Sequence, residues 1–225
     1  MDKPLWEIFP ELVAAVREDH RKAGALVGTG HDFMHALMVA QYASQIADSD
    51  MAELGWAAGI CHNSDRLFKD GDDSLIVKRV RGYLDGSFNE QEINQIIEAV
   101  MNHSTRNSPA DKLLTIILKD ADKLANLGGL LVIRCGQFQP NLPPVNPLYL
   151  GEYPPGCNYR NPGSIYRDLV SSLEWEKPGW FRIPKAIELA KPLFAQLRSF
   201  LDSITSQLQA VGLIPYPFPG DFEQK

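Results

Sequence analysis

Four short stretches of the chain carry side chains able to do chemistry together. They are His31-Asp32-Phe33-Met34-His35, Cys61-His62-Asn63-Ser64-Asp65, Asn102-His103-Ser104 and Lys119-Asp120-Ala121-Asp122-Lys123-Leu124. Four of the five histidines fall inside them. Imidazole and carboxylate together make a site for a divalent ion, and such an ion can activate water.

The spacing within each stretch bears on that chemistry. His31 and His35 are four apart, so on a helix they project from one face, one turn above the other. His62 closes an apolar run and opens a polar one, where it would serve either as a ligand or as a core histidine bonded to a terminal carbonyl. Asp122 stands in an otherwise apolar helix, where a carboxylate is costly unless paired or coordinating. It borders the buried face, whereas Asp120 fits a solvated or capping role. His103 falls at a helix C-terminus, where an imidazolium is favoured, either as a cap or facing an anionic substrate. His20, within Arg17-Glu18-Asp19-His20-Arg21, reads as part of a solvated face.

The elements that must position these groups are helical. Residues 5–22 place Leu5, Ile8, Phe9, Leu12, Val13 and Val16 at helical spacing. A helix is predicted from about His31 to Asp48, with Ala36, Ala40, Ala43 and Ala47 on a face small enough for close approach. Residues 51–62 form an apolar helix, followed by a polar loop over 63–73. Residues 90–103 and 111–127 are amphipathic, with Leu113, Leu114, Ile117, Ala121 and Leu124 inward in the second. Residues 137–163 hold seven prolines, which excludes interior helix. A last helix spans 184–211, with Pro192 inside it. No repeat and no series of strands is present, so the class is all-α.

Composition sets the remaining bounds. The 225 residues suit one substantial core. The net charge of −6 argues against a nucleic-acid partner. No apolar run approaches membrane-spanning length, so no membrane association is expected. The N-terminal residues carry no signal pattern, and three scattered cysteines, Cys61, Cys135 and Cys157, give no disulfide framework. A cytoplasmic protein is the expectation.

Taken in order, the four stretches resemble the HD-domain superfamily of metal-dependent phosphohydrolases. That signature is a histidine, a later His-Asp pair and a distant aspartate, which fall here on His35, His62 with Asn63, and Asp122. The match is closest to a group of small HD hydrolases with a further His-Asp (here His31-Asp32), a loop like Asp65–Asp72, and phrases like Asn102-His103-Ser104 and Asp120–Leu124 followed by Gly128. It covers roughly residues 20–135 and, loosely, the last helix. The resemblance implies a single helical-bundle domain over 1–225 and one divalent ion (Mn, Mg, Fe, Co, Ni or Zn) on His35, His62, Asn63 and Asp122. Its substrate would be a nucleotide or other small phosphoester, and a homodimer is possible.

Asn63 departs from the pattern. With two neutral imidazoles and two carboxylates the donors carry −2, and the amide leaves −1. It remains able to offer a carbonyl oxygen, a weaker donor to a hard cation. Asp65 could replace the missing carboxylate, His31 could join as a nitrogen donor, or the site could have lost its ion. A weakened but metal-binding site is the expectation, with Asn63→Asp raising occupancy. On the substrate side, Asp65 or His31 would accept a proton from water and Arg66 or Lys69 would steady phosphoryl oxygens. His103, Lys123 and Arg106 would meet the substrate. The competing expectation is a catalytically degenerate relative that binds a small phosphorylated ligand in a regulatory role.

Overall fold

The computed structural model describes residues 3–24, 30–68, 73–218 and 220. The described residues are helical, with one isolated bridge between Asn158 and Asn161 in place of any strand. The chain is all-α, as its periodicity predicts. The chain packs as two compact units, Met1–Asn126 with Gly179–Glu188, and Leu127–Pro178 with Leu189–Lys225. Among the described residues no helix is long and apolar enough to cross a membrane.

In the first unit the predicted helix over 5–22 is two, α1 (Leu5–Ile8) and α2 (Pro10–Ala23), because Pro10 starts a new helix at its first turn. Next come α3 (Phe33–Ile46), α4 (Ala52–Cys61), α5 (Ser64–Leu67), α6 (Asp73–Leu84), α7 (Glu90–Asn102) and α8 (Leu113–Ala125). The polar loop over 63–73 thus contains a short helix. Asn89 and Glu92 form a reciprocal capping box that starts α7. In α8, Leu114, Ile117, Ala121 and Leu124 are buried as predicted, but Leu113 is exposed.

The short link between α3 and α4 forces an antiparallel hairpin. The two helices meet through small residues. A Cβ at Gly59 would stand 2.5 Å from Ala40 Cα, and one at Gly55 would stand 3.1 Å from Ala43 O. At Gly59 only glycine permits that approach. The register runs from Ala43 and Gly55 through Ala40 and Gly59 toward the end where His35 leaves α3 and His62 follows α4. Helix α4 is buried on every side from Gly55 to Cys61 rather than on one face, and α8 packs against both helices. Gly59→Ala is therefore expected to spread the hairpin, costing about 1–3 kcal/mol by overpacking. A thermal melt checks this: an unchanged midpoint would mean that the seam is looser than its geometry.

Within the charged run at 17–21, Asp19 and His20 do not belong to a solvated face. Asp19 and His20 continue the buried stripe of Leu12 and Val16 at three- and four-residue steps. Arg79 of α6 grips the Asp19 carboxylate with two bonds of 2.6 Å, and Tyr83 Oη donates to it at 2.5 Å. Asp120 is likewise buried rather than solvated. Its Oδ2 accepts from the backbone N–H groups of Arg182 and Ile183 at 2.7 and 2.8 Å. It thereby anchors the backbone just before α11 (Pro184–Ala210), which runs uninterrupted through Pro192.

The second unit has its own core. Leu131 and Cys135 of α9 (Gly128–Phe138), Tyr166 and Leu169 of α10 (Ile165–Ser172), and Leu197 and Leu201 of α11 pack together. Beyond the last residues of α9 the proline-rich segment is non-helical up to the Ser164 cap of α10, as proline chemistry requires.

Candidate metal centre

Three helices of the first unit deliver the centre. His35 sits in the first turn of α3, whose cap Asp32 accepts the His35 backbone N–H at 2.8 Å. His62 caps α4, and Asp122 lies in the last turn of α8. One ligand atom from each can be chosen so that all lie within 4.8 Å of one another. His35 Nε2 stands 3.2 Å from Asp122 Oδ1, and His62 Nε2 stands 4.0 Å from it. The ring centroids of His35 and His62 are 5.0 Å apart.

The donors suit a cation. His62 Nδ1 faces Gly59 O at 2.7 Å. A carbonyl only accepts, so the proton is on Nδ1 and Nε2 carries the lone pair. Both His35 Nε2 and His62 Nε2 are buried without a hydrogen-bond partner. The 3.2 Å approach to Asp122 is close enough for a hydrogen bond but lacks its alignment. Two buried ring nitrogens without partners beside a carboxylate are costly unless something positive lies among them. The Asp122 side chain is 29% exposed, against 1% and 2% for the imidazoles, so solvent reaches the group from its side.

The titration behaviour agrees. Burial pushes His62 well below the usual imidazole value of 6.5, against the pull of Asp122. Burial would raise the Asp122 carboxyl, but His35, His62 and His103 hold it far below the carboxylate range. His62 is thereby kept neutral and Asp122 ionised, the states that bind metal. Burial also lowers His20.

A base whose pKa falls on folding takes up fewer protons in the native than in the unfolded chain between its two values. The stability linked to His20 and His62 is therefore complete above about pH 6.5 and is lost as the pH drops below it. In metal-free protein the melting temperature should hold level above pH 7 and decline from pH 6.5 downward, well before carboxylates titrate. A level profile down to pH 5 would contradict this.

The other expected residues are placed variously. The rings of His31 and His103 flank the pair, with centroids 5.8 Å from His35 and 5.4 Å from His62, so four imidazoles form one row. His31 does not join the three-residue group, and neither does Asp65. Asp65 Oδ2 lies 3.6 Å from Arg66 Nε, and its Oδ1 is buried without a hydrogen-bond partner. His103 Nδ1 faces Val100 O at 2.6 Å. Lys123 turns back to Lys119 O at 3.0 Å and lies 3.6 Å from Asp120. Arg106 is exposed, and its carbonyl accepts from Lys119. Lys69 lies outside the described residues.

Asn63 is 1% exposed. Its Nδ2 donates to His31 O at 3.1 Å and approaches Asp32 O at 3.4 Å. A carboxylate at 63 would turn an oxygen toward those carbonyls, so the added charge of Asn63→Asp comes with the loss of donated hydrogen bonds. Sequence reasoning missed His20, whose Nε2 lies 3.3 Å from Asn63 Nδ2. The spacing of His20 from Val16 and Leu12 was the available signal.

No family model and no curated protein matches the sequence. Among solved structures, the chain is similar to a structural-genomics target from Lactobacillus plantarum, with a TM-score of 0.64 at 17% identity over 88% of this chain and 97% of that one. At that identity the likeness speaks for the fold alone.

Proposed function

We propose that the chain is a metal-dependent phosphohydrolase acting on a small phosphoester, nucleotides included. The observation that carries it is the meeting of two buried, orphaned imidazole nitrogens with the Asp122 carboxylate. His35 Nε2, His62 Nε2 and Asp122 would hold the ion, with Asn63 as a neutral fourth donor. Two nitrogens among the donors rank Zn²⁺, Fe²⁺, Co²⁺ or Ni²⁺ above Mg²⁺. A divalent ion bound there supplies Lewis acidity toward water and toward a phosphoryl oxygen.

The chain's own groups handle the protons. Water adds to phosphorus as the ester P–O bond breaks; the water's proton passes to Asp65 or His31, and the departing oxygen takes up a proton from solvent. His103 has its Nδ1–H committed to Val100 O, so Nε2 is its one atom for giving or taking a proton at the substrate. The order of the motifs and their resemblance to HD hydrolases support the reaction class. Incubation with nucleotides and phosphomonoesters in Mn²⁺, Co²⁺, Fe²⁺ or Mg²⁺ should release phosphate. Thermal stabilisation by these ligands with no release under any ion would favour the regulatory binder instead.

A further inference from the structure

Asn63 follows His62 directly, and its amide is held from three sides. Nδ2 lies 3.1 Å from His31 O, 3.4 Å from Asp32 O and 3.3 Å from His20 Nε2. The carbonyls only accept, so the NH₂ end must face them. His20 Nδ1 lies 2.9 Å from Val16 O, another acceptor, which places the His20 proton on Nδ1 and a lone pair on Nε2. That lone pair receives the second N–H of Asn63. Both amide protons are thus spoken for.

Asn63 Oδ1 is left over. It is buried and has no hydrogen-bond partner, a property shared with Nε2 of His35 and of His62. Two buried acceptors without donors, His62 Nε2 and Asn63 Oδ1, beside an unpartnered ring nitrogen of His35, are what a cation would resolve.

We propose that His20 is a positioning residue of the metal centre: its Nε2, taking the second amide proton beside the His31 and Asp32 carbonyls, helps lock the Asn63 amide so that Oδ1, and not Nδ2, is the atom offered to the ion. The inference rests on the three-residue metal centre proposed above. Position 63 is then an oriented neutral oxygen donor, and the histidine of α2 is its orienting partner. The chemistry parallels the way outer carboxylates and carbonyls orient metal-bound imidazoles. The edge of Phe33, with its centroid 5.8 Å from that of His20, helps fix the ring.

Two measurements test it. The first uses the unaltered protein, labelled with nitrogen-15. The Asn63 side-chain NH₂ should be protected from exchange before metal is added, and its resonances should move on addition of Zn²⁺ along with those of the His35 and His62 rings. Rapid exchange, or an unmoved Asn63 amide while both rings respond, overturns the proposal. The second is Zn²⁺ affinity by competition with a chelator. His20→Leu, which removes the acceptor, should weaken binding by about tenfold or more, and His20→Gln, which restores an acceptor oxygen, should recover much of it. Equal affinity in His20→Leu and the unaltered chain overturns the proposal and leaves the three-residue centre standing. Absence of any Zn²⁺ or Co²⁺ uptake by the unaltered chain instead removes the centre itself. Should His20→Leu fail to fold, the resonance experiment alone decides.

Discussion

On the proposed function, His62→Ala should abolish divalent-ion binding at the candidate centre and, with it, phosphate release. His62 supplies one of two nitrogens among the three converging donors, and its ring is held in place by Gly59 O and buried to 2% exposure. Losing an outer partner of a metal ligand already costs about 10–100-fold in affinity, so losing the ligand itself should cost more than about a hundredfold. Elemental analysis after gel filtration reads the occupancy, and a phosphate assay on the same sample reads turnover. Far-UV circular dichroism separates loss of the ion from loss of the fold. Full occupancy in a folded variant would mean that the centre lies elsewhere.

The second large effect concerns stability. Asp111→Ala should destabilise the first unit by about 3–5 kcal/mol, because it strands a buried ammonium. Lys119 has a side chain only 1% exposed, and its Nζ meets the two Asp111 oxygens at 3.0 and 2.9 Å. Arg182 Nη2 adds a contact of 2.8 Å to the same carboxylate. Burial would raise the Asp111 carboxyl, but Lys119, the Ser108 N–H and Arg182 bring it down to about 2. Its stabilisation is therefore present in full above about pH 3.8 and fades as the pH falls toward 2. Without Asp111 the ammonium keeps only Thr105 Oγ1 and Arg106 O. A fall of about 10 °C or more in melting temperature is expected at neutral pH. A shift within a degree would show that water enters to replace the carboxylate. The pair also matters to the site, since Lys119 ties the turn after His103 to α8, one helical turn before Asp122.

Much of the scaffold was legible from local pattern. The stripe of Ile93, Ile96, Ile97 and Val100 predicts α7 because a helix repeats every 3.6 residues whatever surrounds it. The small residues on α3 predict a close neighbour for the same local reason, and Gly59 against Ala40 supplies it. The helix break at Pro10 was less visible, since the apolar stripe of α1 and α2 continues across it.

Charged residues were legible only in part. Asp122 in an apolar helix signalled a partner, whereas Asp19 and His20 looked solvated and Asp120 solvated or capping. Their burial depends on partners far along the chain, such as Arg79, 60 residues from Asp19, and Arg182, 62 residues from Asp120. No local spacing encodes such pairings.

By itself the sequence determined that the protein is helical and which imidazoles and carboxylates it has to work with, because periodicity and side-chain chemistry are local properties. The tertiary structure alone decided that His35, His62 and Asp122 converge, that Asn63 is held by His20, and that Lys123 turns away to Asp120. Each of those outcomes is a distance between separate helices, set by how closely their faces pack.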